Sequence, residues 1–300
     1  MTFQGGGFEG GRVQRGGGGG RRGVAVGGGL VGLIVVVIAV LLGGGNLGDV
    51  LGQPSGGGAA SDPVQPEQVG EIGDCTVEQA NTQQDCRLAA TLYALDEYWK
   101  PIVEQQGVAF AIPGATWFTQ SVDTGCGTAT SAVGPFYCPP DQRIYIDLDF
   151  YTTMTSQLGA QDGPLAEMYI TAHEYGHHIQ NLLGIMDAHD RGGTGADSGS
   201  VRTELQADCF AGMAVGEMAN VPRPGQSVTF IQPITQEQLA NALQAAQAVG
   251  DDRIQKNSTG SINPDTWTHG SAAQRQAWFT TGYEKGDLAS CDTFGAADLG

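Results

Sequence analysis

The sequence TAHEYGHHIQ at residues 171–180 holds the side chains most able to do chemistry: His173 and His177 four apart, with Glu174 beside the first. On an α-helix, residues four apart stand one turn above each other, so both imidazoles can address one ion while the carboxylate lies alongside. Such pairs also occur on helix surfaces and in satisfied cores, and the bare pattern carries a false-positive risk. A catalytic zinc site takes three protein ligands and keeps a further position for water. A third donor from elsewhere in the chain therefore separates the two readings.

Residues 201–219 supply one. They read as a second helix carrying Glu204-Leu205-Gln206-Ala207-Asp208, with the two acids one turn apart on one face. Glu204 can close the set of metal ligands, and Asp208 can accept the other N–H of His173 and so fix its tautomer. An exposed acidic face is the plainer alternative. Against it, Leu205, Ala207, Cys209, Phe210 and Ala211 are apolar, and acids embedded among them are costly to bury without partners. His178 falls about 100° round the first helix from His177, away from a shared ion. His189 sits in the polar, Gly-rich residues 186–200, which read as a solvated loop.

The elements that must position these groups follow from the flanking pattern. Asp162, Gly163 and Pro164 start the first helix and Gly184 stops it. Leu165, Met168, Tyr169, Ala172, Gly176, Ile179 and Leu183 recur at three- and four-residue steps and mark one buried face. The histidines fall on its flank, and Glu174 lies about a quarter-turn further toward solvent. Upstream, residues 85–106 place Leu88, Leu92, Leu95, Trp99 and Ile102 on one helical face, with Pro101 expected to kink or end it. Residues 115–119 read as a strand, and residues 143–148 alternate so that Ile144, Ile146 and Leu148 face inward. A strand just ahead of the metal helix is expected to border the cleft, where an extended peptide could add itself through backbone hydrogen bonds. Downstream, residues 235–250 bury Leu239, Ala242, Leu243 and Ala246 as a scaffold helix, and Ser271 with Gln274 has capping-box spacing ahead of Trp278 and Phe279. The expected fold class is α+β, mainly helical, with a small β-sheet bordering the active-site helix.

About half of the 48 glycines in this 300-residue chain fall in its first sixty residues, which leaves little there to build a core. Residues 1–23 read as a disordered Gly/Arg-rich segment. Residues 24–42 are uncharged and apolar, near the ~20 residues that cross a bilayer. Residues 43–73 read as a flexible Gly/Pro/Ser linker, and residues 74–300 as one domain. Arg12, Arg15, Arg21 and Arg22 ahead of the apolar run place the N-terminus in the cytoplasm, so the expectation is a single-pass protein of the cell membrane with its domain extracytoplasmic. A cleaved signal peptide is the competing reading. The net charge of −18 argues against a nucleic-acid partner, because little is present to neutralise phosphates.

Six cysteines, Cys75, Cys86, Cys126, Cys138, Cys209 and Cys291, all lie beyond the apolar run. An even number in an exported segment implies three disulfides, although sequence alone does not choose the connectivity. The expected pairing is Cys75 with Cys86, Cys126 with Cys138, and Cys209 with Cys291. Zinc thiolates are the weaker alternative, since no Cys-x-x-Cys pair occurs.

Five segments in order, GCGTATSAVGPFYCPPDQRIYIDLDF, AHEYGHHIQNLLG, SVRTELQADCFAGMA, ALQAAQAVGDDRIQ and THGSAAQRQAWFTTGY, resemble the bacterial neutral zinc metallopeptidase family over residues 126–294. The resemblance implies a zincin-like metallopeptidase domain with one Zn2+ ion, His173, His177 and Glu204 as ligands, and Glu174 as catalytic carboxylate. It also implies an N-terminal membrane anchor. The Gly-rich head and the Cys75 and Cys86 pair have no match in the family pattern. On this reading a metal-activated water hydrolyses a peptide or protein substrate, with Glu174 as base and then acid. His269 is the candidate donor to the developing oxyanion, with Tyr145, Tyr151 and Tyr175 as alternatives; equally, it could only orient the turn ahead of the last helix. The alternative function keeps the zinc without turnover, as an envelope binding or structural module. Intact Glu174 argues against that, since a closed structural site needs no base.

Overall fold

In the computed structural model, which describes residues 3–8, 13–16, 71–131, 133–156, 158–160 and 163–300, the chain opens with an edge strand, β1 (Val13–Gly16). Two helices follow, α1 (Val77–Thr82) and α2 (Gln84–Gln105). Of the expected apolar face of α2, Leu88, Leu92, Leu95 and Trp99 are buried and Ile102 is half-buried; Ala89, Ala90, Ala94 and Tyr98 are buried too, because α2 runs through the interior. Pro101 does not end it. It sits exposed near the C-terminal end, where the carbonyl it leaves unpaired can meet water.

Strands β2 (Gly114–Phe118), β3 (Ser121–Thr124), β4 (Gly127–Thr130), β5 (Phe136–Cys138) and β6 (Arg143–Asp147) come next. The main sheet has the order β1-β2-β6-β5, with β1, β2 and β6 parallel and β5 antiparallel to β6; β3 and β4 pair separately. Ile144 and Ile146 are buried as expected, whereas residue 148 opens helix α3 (Leu148–Ser156) instead of extending the strand. β6 is an inner strand. Its two edges are taken by β2 and β5, so a peptide cannot add to it, and the sheet edge on that side belongs to β5.

The helices α4 (Pro164–Leu182), α5 (Ile185–Ala188), α6 (Gly199–Glu217), α7 (Gln236–Ala248), α8 (Asp251–Thr259) and α9 (Ala272–Lys285) complete the domain. α4 is bounded as the sequence predicts, by Pro164 in its first turn and by Gly184 in the left-handed conformation at φ 71°. It is not half-exposed. Every residue from Leu165 to Gln180 is buried, because α2, α6 and α7 all pack on it, and Glu174 is therefore enclosed instead of turned to solvent. The sequence does not announce α8, which follows α7 with only Val249 and Gly250 between them.

Close helix contacts set the position of the site. A Cβ on Gly176 would stand 2.9 Å from the Ala207 carbonyl oxygen and 3.1 Å from its Cα, so the glycine between the two histidines lets α6 approach α4. α9 meets α6 in the same way, through Gly282 against the Cys209 carbonyl and Gly212 against that of Phe279. The Cys209–Cys291 bond ties α6 to the segment after α9, and Cys75–Cys86 and Cys126–Cys138 complete the expected pairing. The mainly helical α+β architecture is as predicted.

The N-terminal head is a correction. Phe3, Phe8 and Val13 are 1 %, 2 % and 0 % exposed, and β1 pairs in parallel with β2, so the described part of residues 1–23 is folded onto the domain. Three apolar anchors suffice where composition suggested none. The domain also begins earlier than residue 74: Ile72 is buried and donates its N–H to the Val13 carbonyl at 2.9 Å. The single-pass membrane placement is overturned as well. No helix among the described residues is long and apolar enough to cross a membrane. Residues 24–42 lie outside the described residues, but residues 3–8 and 13–16 are hydrogen-bonded to the same body as residues 71–300, which one crossing between them would forbid.

Candidate metal centre

α4 and α6 bring together His173, His177 and Glu204, whose nearest ligand atoms all lie within 4.8 Å of one another. Glu204 Oε2 is 3.1 Å from His173 Nε2 and 3.5 Å from His177 Nε2. Donors on a tetrahedral zinc with bonds of ~2.0–2.1 Å stand about 3.3 Å apart. Two imidazoles and one carboxylate at this spacing could hold a zinc ion, and the set fits on chemistry as well as distance. All three are buried from bulk water.

Each histidine is held by its other nitrogen. His173 Nδ1 is 2.8 Å from Asp208 Oδ1, and His177 Nδ1 is 2.8 Å from Gln180 Oε1. Gln180 donates from Nε2 to the Thr203 carbonyl at 2.8 Å and to Gln206 Oε1 at 3.0 Å, which fixes its oxygen toward His177. With a metal bound, both Nδ1 atoms would keep the proton and both Nε2 atoms would be free to face the shared position. Asp208 is fully buried and would be expensive there alone. It is met by a two-pronged contact from Arg275, Nε at 2.8 Å and Nη2 at 3.0 Å, and by the Tyr169 hydroxyl at 2.5 Å.

The electrostatics follow. Burial would raise the Asp208 carboxyl, but Arg275 and His173 outweigh it and bring it down to about 2. Burial likewise disfavours charge on His173, yet Asp208 and Glu204 raise it to about 10: the cluster draws positive charge to this point. Burial raises the Glu174 carboxyl above the ordinary glutamate range, partly offset by the two histidines.

His269 lies in the turn before α9, and Gly270 beside it sits against Val201 and Leu205, the residues flanking Glu204 on α6. Its Nδ1 is 2.9 Å from Thr268 Oγ1 and 3.6 Å from Asp251 Oδ1, while Asp251 Oδ2 accepts the backbone N–H groups of Thr268, His269 and Gly270. Burial lowers its affinity for a proton, but Asp251 and then Glu204 reverse the balance and raise it. Of the tyrosines, Tyr145 donates to Asp141 and Tyr175 to Asp96, both 2.7 Å away and both outside the histidine cluster. Tyr151 is buried within reach of the Glu174 charge. His178 is held between the Tyr137 hydroxyl and the Ala111 carbonyl, apart from the cluster, and exposed His189 stacks on Phe294.

Arg275, Tyr169, Gln180 and Gln206 escape the sequence reading. Gln180 had a usable signal, since it lies three residues after His177 on the same helical face. Arg275 had no such signal, sitting between Gln274 and Gln276 in the first turns of α9.

With the geometry in place, comparison with known proteins gives the class. A family model described as putative neutral zinc metallopeptidase matches residues 7–294, and the chain belongs to that family. It is 48 % identical over 231 residues to the uncharacterized protein Rv2575 of Mycobacterium tuberculosis, covering 77 % of this chain and 78 % of that one. It is 43 % identical over 209 residues to the uncharacterized protein YpfJ of Escherichia coli, covering 68 % and 69 %. No solved structure matches.

Proposed function

We propose that this protein is a zinc-dependent peptidase that hydrolyses peptide bonds in peptide or protein substrates, probed at one centre formed by His173, His177 and Glu204. The observation that carries the reading is a buried two-imidazole, one-carboxylate cluster with a further buried carboxylate, Glu174, on the same helix. Zinc in such a set lowers the pKa of a coordinated water toward ~7 and polarises a scissile carbonyl. Glu174 takes the proton from the attacking water and returns it to the leaving amine, and burial, which raises its affinity for a proton, favours its acting as that acceptor. His269, turned by Thr268 and Asp251, supplies a hydrogen bond to the developing oxyanion. Asp208 and Gln180 keep the two Nε2 lone pairs directed inward.

Glu174→Gln tests the role of the carboxylate. Hydrolysis of a general protein substrate by the zinc-loaded chain is expected to fall by about a hundredfold or more, with one zinc per chain retained. Equal activity in the variant contradicts Glu174 as the base, and no activity in the unmodified zinc-loaded chain contradicts the peptidase reading.

A further inference from the structure

Residues 3–8, Phe-Gln-Gly-Gly-Gly-Phe, lie on the domain in the manner of a bound peptide. Side chains of the domain read their main chain. The Phe3 N–H donates to Asn81 Oδ1 at 2.7 Å and Asn81 Nδ2 donates back to the Phe3 carbonyl at 3.2 Å. The Gly6 N–H donates to Gln226 Oε1 at 3.1 Å, and Arg223 donates from Nη1 to the Gln4 carbonyl at 2.9 Å and from Nη2 to that of Gly7 at 2.7 Å. Backbone bonds complete the seat: Gln4 to Phe230 at 3.0 Å, and Phe8 with Cys75 in both directions, at 2.7 and 2.9 Å.

The side chains explain the composition. Phe3 and Phe8 are buried edge-on to each other, and Tyr93 stands edge-on to Phe8 and to Phe230. Between them the chain must be bare. Gly5 has φ +90°, and a Cβ there would lie 2.6 Å from both Arg223 Cδ and Gln226 Oε1; a Cβ on Gly7 would lie 2.9 Å from the Cys75 carbonyl.

Arg223 shows what the groove is built to hold. It is 3 % exposed and lies 4.3 Å from the centre of the Phe8 ring and 5.2 Å from that of Phe230. Among the described residues, its guanidinium donates to the Gln4 and Gly7 carbonyls and pairs with no carboxylate. A buried cation without acceptors is costly, so this one is matched to the carbonyls on either side of the bend. The segment is seated by two rings and the hydrogen bonds above, whereas α4, α6 and α9 are locked to one another by helix-to-helix backbone contact.

We infer that the groove formed by Asn81, Tyr93, Arg223, Gln226 and Phe230 is a peptide-docking site, and that residues 3–8 are its resident and releasable ligand. The chemistry it recognises is a glycine-rich main chain bent at Gly5, with aromatic side chains five positions apart.

Two measurements on the full chain test this, neither of which depends on peptidase activity. In hydrogen exchange on the unmodified chain, the Gln4, Gly6 and Phe8 amides are expected to exchange at least about tenfold faster than those of α4 and β6, through a local opening insensitive to low denaturant. Exchange of these amides only together with α4 makes the segment part of the core and overturns the inference. In the second, a labelled peptide MTFQGGGFEG is titrated against the full chain carrying Phe3→Ala and Phe8→Ala. Binding is expected to be at least about tenfold tighter than to the unmodified chain, whose own segment competes, and to weaken about tenfold or more when Arg223→Gln is added. No binding to the folded double variant, or binding indifferent to Arg223, overturns it.

Discussion

The two histidines of the centre stand one turn apart on the same helix and present the same nitrogen, yet they are held by different means. His173 rests on a carboxylate sunk in the interior, itself pinned by Arg275 and Tyr169, whereas His177 rests on a neutral amide that passes through Gln180 and Gln206 to the Cys291 carbonyl. The charged side is the more expensive to assemble and to break, because a buried ion left without its partner costs several kcal/mol, against ~1–3 for a neutral group. The difference teaches that rigidity at one metal position can come from two kinds of support with unequal sensitivity to substitution and to pH.

The largest expected effect comes from breaking the charged side. Asp208→Ala leaves the Arg275 guanidinium buried without its acceptor, and a loss of about 3–5 kcal/mol in unfolding free energy is expected. Zinc affinity should fall about 100-fold as His173 loses its orientation. Chemical denaturation and competitive zinc titration read the two effects separately. Acid sharpens the contrast next. In the metal-free protein the Asp208 carboxyl sits at about 2, below its value in an unfolded chain, so its stabilisation is complete above pH ~4 and is lost as pH falls toward 2. The stability gap between the unmodified chain and Asp208→Asn should shrink by about 2 kcal/mol across that window. The gap to Gln180→Leu should stay flat, since an amide does not titrate there. The smallest effect belongs to the neutral side: Gln180→Leu is expected to cost about 1–2 kcal/mol and about tenfold in zinc affinity. An equal or larger loss than for Asp208→Ala would reverse the ranking of the two supports.

What could be read in advance divides along the same physical line. His173, His177 and Glu174 were legible because helical periodicity places them without knowledge of the rest of the fold, and Glu204 and Asp208 because acids set among apolar residues demand a purpose. Arg275 and Tyr169 were not, since their partner lies 67 and 39 positions away in the chain and is reached only through the glycine contacts of α6 with α9 and with α4. The exposure of Glu174 was misjudged for a related reason: one helix's periodicity names the face that must be buried, not the faces that neighbours also cover. β6 looked like a cleft-edge strand because its own alternation is silent on which strands flank it. In the N-terminal head, composition averaged away three anchors, and the glycines that suggested disorder are what let residues 3–8 lie against Arg223 and Cys75.

X-ray absorption on the zinc-loaded chain, beside a Glu204→Ala variant, tests the proposed centre most directly. The expected result is one zinc per chain with two imidazole nitrogens and light oxygen donors at about 2.0–2.1 Å, and loss of that ion, or of one oxygen ligand, in the variant. Failure to bind zinc, a sulfur-ligated ion, or a spectrum and affinity unchanged by Glu204→Ala would contradict it.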